Sequence, residues 1–160
     1  MLKFDLMVIG AGSGLDVAAA AAAASGMKVA IVEEGPMGGT CLNRGCIPTK
    51  ILIHSADVVQ TIRRAGEFGI KAGAVSVDFK KVMARARTVD KDAQEIEQNL
   101  KKAKNITLFK GRGVFTGRKT LKVGKETLTA EKIVIAAGTR PSLPLTTSRT
   151  VAPRSKRKLG

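Results

Sequence analysis

The amino-acid sequence predicts an α/β fold, in which a parallel sheet is joined to a small antiparallel β-meander. Residues 4–33 read in order as an apolar strand, a glycine turn, an alanine-rich helix and a second strand, and this order defines a β-α-β unit. Residues 106–130 instead hold short β-prone runs separated by Gly-Arg, Gly-Arg-Lys and Gly-Lys, which is typical of a meander. With 160 residues and 44% hydrophobic content, the chain is long enough for one ordinary globular domain.

The β-α-β unit follows from three local patterns. Residues 4–10 (FDLMVIG) are an apolar run that ends in glycine, which predicts a buried parallel strand. Seven consecutive alanines at positions 18–24 predict a helix that stops at Ser25-Gly26. Residues 28–33 (KVAIVE) form the second predicted strand. The crossover between the two strands should be right-handed.

The remaining elements are predicted in the same way. Residues 49–65 are expected to be helical, and residues 78–104 to form one long charged helix with Asp78 as its N-terminal cap. The runs ITLFKG, GVFTG, TLKVG and ETLTA are assigned to the meander. Residues 133–137 (IVIAA) predict a further buried strand, which Gly138 closes.

The net charge of +15 is unevenly distributed. Residues 145–160 (LTTSRTVAPRSKRKLG) hold five basic residues and no acidic one, which leaves 23 of the 28 basic and all 13 acidic residues before them. Nucleic-acid binding is one interpretation of such a balance. Aromatic residues make up only 3% of the chain, however, so a base-stacking surface is poorly supplied. We therefore expect a solvated basic surface and regard nucleic acid as an unlikely partner.

Neither a membrane-spanning segment nor a secretory signal is evident. No run approaches the ~20 apolar residues that a membrane-spanning helix requires. The first ten residues, MLKFDLMVIG, carry an Asp within the apolar run and lack a secretory layout. We therefore expect a cytoplasmic protein without a membrane partner. A reducing cytoplasm disfavours a permanent disulfide and favours catalytic or metal-binding cysteines.

The glycine turn between the first strand and the helix matches a dinucleotide-binding pattern in part. Gly10 permits the sharp turn, and Gly12 allows backbone N–H groups to approach a pyrophosphate at the helix start. Glu33, at the end of the next strand, is placed to accept ribose hydroxyls. The template puts a third glycine at position 15, which is Leu15 here, with Gly14 one residue early. We expect Leu15 to push the helix outward or to be absorbed by the small alanine face.

The only two cysteines, Cys41 and Cys46, are separated by four residues. A disulfide over so short a loop would remove little entropy from the unfolded chain, roughly 2 kcal/mol. A closed zinc site would need two further ligands, and the chain offers only His54 besides carboxylates. Both alternatives stay open, but neither explains the residues around the pair.

A redox role explains more of these neighbours. Gly38-Gly39 lets the backbone run close to a flat cofactor. If a helix begins near Ile47-Pro48, Cys46 lies at its positive end, and Lys50 adds a positive charge on the same face; both favour the thiolate. Cys41, further out, would meet a substrate. One thiol is then suited to electron transfer and the other to exchange with an incoming disulfide.

The segment GGTCLNRGCIPTK resembles the redox-active segment of the FAD-dependent pyridine nucleotide–disulfide oxidoreductase family (class I). The turn VIGAGSG, the acid in IVEEG, the stretch GRGVF and the strand IVIAAGTRPSLP extend this resemblance over residues 3 to about 144. The Leu-Asn and Ile-Pro pairs look most like the dihydrolipoamide dehydrogenase branch. The resemblance implies a Rossmann-like FAD-binding segment, in which electrons pass between NAD(H), FAD, a Cys41–Cys46 disulfide and a small lipoamide-like disulfide substrate.

The resemblance also implies roles for individual residues. The glycine turn holds the FAD pyrophosphate, and Glu33 holds the adenosine ribose. Cys46 is the thiol against the flavin ring, Cys41 exchanges with the substrate, and Lys50 lies near flavin N5. Gly113 and its neighbour Val114 contact the adenine, and Gly138 and Thr139 close over the cofactor. The implied FAD-binding residues are Gly10, Gly12, Ser13, Gly14, Glu33, Glu34, Gly39, Thr40, Cys41, Cys46, Lys50, Gly113, Val114, Gly138 and Thr139, and no metal ligand is implied.

The family reaction needs three further parts: a second dinucleotide fold for NAD(H), a later FAD segment, and a C-terminal interface domain. The interface domain forms a homodimer and supplies a His–Glu pair. The pattern is lost abruptly at Leu145. We therefore predict that residues 1–144 are the first FAD-binding segment and that residues 145–160 are a basic irregular tail, left by a reading-frame change or a fragment end. The NAD and dimerisation domains are expected to be absent.

Such a truncated chain is expected to bind FAD weakly and to lack NADH-driven turnover. His54, the only histidine, is expected to be a surface or packed helix residue rather than a catalytic base. The alternative function is a non-catalytic module that binds FAD or another chain.

Overall fold

A computed structural model describes residues 1–140 of the chain. Its strands are β1 (Leu2–Ile9), β2 (Val29–Glu33), β3 (Ile106–Lys110), β4 (Gly113–Gly117), β5 (Thr120–Val123) and β6 (Glu126–Ile135). Its helices are α1 (Gly14–Ser25), α2 (Gly39–Arg44), α3 (Cys46–Arg63), α4 (Phe79–Ala86) and α5 (Val89–Lys102), with a short 3₁₀ helix (Ala65–Phe68) after α3. The predicted tail, residues 145–160, lies outside the described residues.

The six described strands form one sheet in the order β3-β2-β1-β6-β5-β4. β3, β2, β1 and β6 are parallel, whereas β6, β5 and β4 form an antiparallel meander. Met7 of β1 is level with Ala30 of β2 and with Ile133 of β6. The predicted α/β class, a parallel sheet with a small antiparallel extension, is confirmed.

Two strand assignments from the sequence were wrong. The run ITLFKG does not belong to the meander: β3 pairs parallel with β2 at the opposite edge of the sheet. The runs ETLTA and IVIAA are not separate strands, because β6 is continuous through both. β6 pairs with β1 from Leu128 to Ile135 and with β5 only from Glu126 to Thr129. One strand therefore belongs to the parallel sheet and to the meander at once.

Hydrophobic clusters lie on both faces of the sheet. Ala30 and Val32 of β2 pack into one cluster, and Val29 and Ile31 pack into the other. The helices α1 and α5 cover the second cluster, and side chains of β5 and β6 complete the first. β2 is therefore enclosed on both faces, which explains its nearly continuous apolar sequence.

The helices around the cysteines differ from the prediction. The helix expected over residues 49–65 begins three residues earlier, at Cys46, and ends at Arg63. The six-residue helix α2, which carries Cys41, was not predicted. It has no buried residue and no periodic apolar face. Because so short a helix is marginal in isolation, its conformation depends on contacts with the rest of the fold.

The long helix expected over residues 78–104 is two helices, α4 and α5. Its predicted cap is confirmed, since the Asp78 carboxylate accepts a hydrogen bond of 3.1 Å from the Lys81 N–H. The chain turns after α4, where the Thr88 hydroxyl donates to the Arg85 carbonyl at 2.8 Å. The break lets α4 contact α3 while α5 packs on α2 and β3. The 3.6-residue pattern continues through this turn and does not reveal it.

None of the helices within residues 1–140 is both long and apolar enough to cross a membrane.

Candidate functional site

The glycine turn lies at the carboxyl end of β1, between the ends of β2 and β6. Gly10 has a φ of +104°, and a Cβ there would lie 2.2 Å from the Ala136 carbonyl oxygen. Its N–H donates to the Val32 carbonyl at 2.8 Å, and the Ala136 N–H donates to the Ile9 carbonyl at 2.7 Å. Only glycine fits this position, because any side chain would meet backbone atoms that have no room to move.

Gly14, rather than residue 15, provides the close packing between helix and strand. A Cβ at Gly14 would lie 2.8 Å from Val8 Cγ1 and 3.0 Å from Ala136 Cβ. Leu15 is partly buried against the cluster that includes the alanines of α1. The motif here is therefore G-x-G-x-G, with its third glycine at the first residue of α1.

The turn also packs against the loop that leads into α2. Gly39 has a φ of +58°, and a Cβ on it would lie only 2.7 Å from Gly12 Cα. The Gly38 N–H donates to the Ala11 carbonyl at 2.8 Å. Two glycines thus allow two backbones to touch, and this contact places Cys41, two residues beyond Gly39, next to the glycine turn.

The carboxylate of Glu33 is hydrogen-bonded to the glycine turn. Its two oxygens accept hydrogen bonds from the Ala11 N–H at 2.7 Å and from the Gly35 N–H at 2.6 Å. These bonds hold the ends of β1 and β2 together. A carboxylate has about four acceptor positions, so Glu33 keeps further acceptor capacity. The bracing role links residues 22 positions apart, and the sequence did not reveal it.

The two thiols lie side by side. Cys41 is near the start of α2 and Cys46 is the first residue of α3. Between them, Gly45 allows the chain to fold back, since a Cβ there would lie 3.1 Å from the Thr40 carbonyl oxygen. Both thiols are exposed and free. A hydrogen bond with the Cys46 thiol is the largest cause that raises the pKa of Cys41, followed by desolvation and the charge of Cys46.

The other predicted site residues reach the same edge of the sheet by different routes. Gly138 and Thr139 follow β6, whose last residue, Ile135, is level with Ile9 of β1. Gly113 follows β3, where the Gly111 N–H donates to the Glu33 carbonyl at 2.9 Å. Because the carboxyl ends of parallel strands meet at one edge, these residues share that edge with the glycine turn. The exposed members of the predicted set are Ser13, Glu34, Thr40, Cys41, Cys46, Lys50, Val114, Gly138 and Thr139.

Gly113 has a packing role that the sequence did not reveal. A Cβ there would lie 2.7 Å from Leu121 Cδ2 and 3.3 Å from Val32 Cγ1. It therefore lets β4 approach the core between the parallel sheet and the meander. His54 is exposed on α3, eight residues beyond Cys46.

Two further residues hold the loop between β2 and α2, and the sequence analysis missed both. The Asn43 side chain donates to the carbonyls of Met37 and Gly39, each at 2.8 Å. The Lys110 ammonium donates to the Gly35 carbonyl and lies 3.7 Å from the Glu97 carboxylate. For Asn43, the only signal in the sequence was its position between the two cysteines. For Lys110 there was no signal, because a lysine at the end of a strand is not a distinctive pattern.

Glu97 connects this loop to α5. Its pKa is lowered, chiefly by a hydrogen bond from Lys101, with smaller contributions from the charges of Lys101 and Lys110, while desolvation opposes the shift. The pair with Lys101 spans one helical turn at 2.7 Å. In the part of the chain that the structure describes, no three His, Cys, Asp or Glu side chains are grouped closely enough to hold a metal ion.

The site thus combines a strand-turn-helix, a braced carboxylate and a neighbouring dithiol. The pyridine nucleotide-disulphide oxidoreductase family matches residues 4–155, and the chain belongs to this family. The predicted family is thereby confirmed. The match extends past the boundary expected at residue 144 into residues that the structure does not describe.

Individual proteins of this family are similar to the chain over most of its length. A dihydrolipoyl dehydrogenase of Chlamydia muridarum (strain MoPn / Nigg) is 43% identical over 141 residues, covering 86% of this chain and 30% of the relative. A dihydrolipoyl dehydrogenase of Bacillus subtilis (strain 168) is 40% identical over 142 residues, covering 85% and 31%. A glutathione reductase of Burkholderia cepacia is 39% identical over 141 residues, covering 88% and 31%. The chain thus spans about 30% of the length of these relatives.

Proposed function

We propose that residues 1–144 form the first FAD-binding segment of a flavoprotein disulfide oxidoreductase similar to dihydrolipoamide dehydrogenase. Cys41 and Cys46 are its redox-active pair. The observation that carries this proposal is the placement of two adjacent, exposed thiols, of which Cys41 lies on the helix whose first residue packs against the glycine turn. A structural disulfide or a zinc site explains neither the exposure of the thiols nor the turn beneath them.

The residues at the carboxyl edge fit FAD. Gly10 allows the sharp turn against Ala136, and the turn leads directly into the start of α1, where backbone N–H groups would meet a pyrophosphate. Glu33 is already oriented by two backbone N–H groups, and its remaining acceptor capacity suits a ribose. Val114, the second residue of β4, would contact the adenine, and Thr139, in the segment that follows β6, would cover the cofactor. When bound, FAD would link two-electron hydride chemistry to the thiol pair.

The thiols themselves perform the exchange. Cys41 as thiolate attacks one sulfur of a small disulfide, a mixed disulfide forms, and one substrate thiolate leaves. Cys46 then attacks the Cys41 sulfur, releases the second substrate thiolate, and leaves a Cys41–Cys46 disulfide. Two electrons pass from the protein thiols to the substrate. Cys46 is the first residue of α3, and Lys50 follows four residues later on the same helix.

A complete catalytic cycle requires groups that the resemblance places in other parts of the family's proteins. These are a second dinucleotide fold for NAD(H), and a homodimer interface whose His–Glu pair moves protons at the thiols. We propose lipoamide-like disulfides as substrates and a reducing, cytoplasmic setting, in which a dithiol is able to cycle. A polypeptide of residues 1–160 alone is expected to show no NADH-driven reduction of lipoamide.

The test is a titration of the purified chain with FAD, followed by partial reduction with dithiothreitol. A long-wavelength charge-transfer absorption is expected, because a thiolate of Cys46 would lie against the flavin. Cys41→Ser should keep this absorption and Cys46→Ser should abolish it. Binding of FAD without the absorption in any variant would favour a non-catalytic FAD-binding module, and absence of FAD binding would contradict the proposal.

A further inference from the structure

Asn43 makes two hydrogen bonds from one side-chain nitrogen. Its Nδ2 donates to the Met37 carbonyl and to the Gly39 carbonyl, both at 2.8 Å, and the side chain is half-buried. An amide nitrogen has two hydrogens, so one donor of Asn43 is used on Met37 in the loop before α2 and the other on Gly39, the first residue of α2.

The two acceptors are fixed points of the fold. Met37 is fully buried in the cluster under α1 and α5. Gly39 touches Gly12 of the glycine turn. Asn43 therefore ties α2 to Met37 in the hydrophobic core, and its second bond braces the first turn of α2 at Gly39, the residue that touches the glycine turn.

Cys41 depends on this anchor because α2, although it also contacts α3 and α5, is short and has no buried side chain of its own. The helix has six residues, buries none of them, and has no side-chain cap at its start. Cys41 lies between Gly39 and Asn43 on this short helix. The position of its sulfur relative to Cys46 is therefore set by the contacts at its two ends.

We propose that Asn43 is a positioning residue for the redox pair: by fixing α2, it holds the Cys41 sulfur within reach of Cys46 and promotes formation of their disulfide. This inference rests on the proposed function of the two thiols. It adds a residue that acts on the pairing of the sulfurs through hydrogen bonds to the backbone of Met37 and Gly39.

The experiment measures the equilibrium of the full 160-residue chain with glutathione. In this reaction the two thiols reduce one oxidised glutathione to two reduced molecules and form the Cys41–Cys46 disulfide. The disulfide fraction is read by alkylation and mass spectrometry. Asn43→Ala should lower the equilibrium constant about tenfold, which is the loss expected for about one net hydrogen bond. For a two-electron couple this factor corresponds to a change of about 30 mV in the reduction potential of the pair.

Three variants separate hydrogen bonding from shape. Asn43→Asp keeps the shape but lacks both N–H donors, so its loss should be at least that of Asn43→Ala. Asn43→Ser keeps one donor and should fall between wild type and Asn43→Ala. Asn105→Ala is the matched control, because Asn105 donates to the Ala22 carbonyl at 3.5 Å, at the far end of α1.

Each outcome has a distinct meaning. Circular dichroism shows which variants are folded, and only folded variants are compared. If Asn43→Asp does not fold, Asn43→Ser still tests the contribution of the hydrogen bonds. Two results would overturn the role of Asn43 while leaving the proposed function intact. One is an equilibrium constant for Asn43→Ala within twofold of the wild-type value. The other is an equal decrease of the constant in Asn43→Ala and in Asn105→Ala. A wild-type chain that forms no intramolecular disulfide at any glutathione ratio would overturn the proposed function itself.

Discussion

Gly39→Ala tests the contact between the glycine turn and the loop that carries Cys41. The new Cβ would lie 2.7 Å from Gly12 Cα, whereas ordinary van der Waals contact begins at 3.4 Å, so the two backbones must separate by about 0.7 Å. The φ of +58° adds strain, because side chains rarely adopt the left-handed region. Overpacking costs about 1–3 kcal/mol and the left-handed conformation about 1–2 kcal/mol. We therefore expect Gly39→Ala to lower the free energy of unfolding by about 3 kcal/mol.

Gly26→Ala provides the matched control. Gly26 has a φ of +62°, almost that of Gly39, but a Cβ on it would meet nothing within 4 Å. The control should therefore lose only the conformational part, about 1 kcal/mol. The difference between the two variants measures the steric contact alone.

The assay is urea unfolding followed by far-UV circular dichroism, with the free energy taken from linear extrapolation. The glutathione equilibrium of the thiols is measured on the same samples. Gly39→Ala should alter that equilibrium because α2 moves, and Gly26→Ala should leave it unchanged. Equal destabilisation of the two variants, within about 0.5 kcal/mol, would refute the role assigned to the Gly12–Gly39 contact.

Three further changes have defined outcomes. Gly14→Ala places a Cβ 2.8 Å from Val8 Cγ1 and should destabilise the chain by about 1–3 kcal/mol in the same unfolding assay; a neutral result would contradict the packing role of Gly14. Because the pKa of Cys41 is raised, its alkylation rate, followed by peptide mass spectrometry, should increase at a higher pH than for an ordinary cysteine. Cys46→Ala should shift this pH profile of Cys41 to lower pH. An unshifted profile would show that the hydrogen bond with Cys46 does not raise the pKa. Asp78→Ala should cost about 1 kcal/mol through loss of the α4 cap, whereas Asp78→Asn should retain most of that stability.

Local chemistry was readable from the sequence. The cap at Asp78 was predicted because a carboxylate before a helix accepts from a nearby N–H within a few residues. The dithiol was predicted as a pair because Cys41 and Cys46 are close in sequence, and the structure places them side by side. Such features depend on neighbours along the chain, so a single sequence contains the necessary information.

Distant contacts were not readable. The run ITLFKG has the composition of a meander strand, and only its partner, β2, shows that it belongs to the parallel sheet. The break between α4 and α5 follows from which surfaces those helices cover, not from a proline or glycine between them. Helix α2 was missed for the same reason, because its six residues carry no periodic signal of their own.

The sequence by itself determined the α/β class, the glycine turn, the acid at the end of β2 and the spacing of the two thiols. Each of these is a property of short-range residue order. Only the tertiary structure decided that Gly14 takes the third glycine's place against Ala136 and that Glu33 braces the turn. These roles arise when strands and loops distant along the chain are packed together, since hydrogen bonds and steric contacts depend on separation in space and not along the sequence.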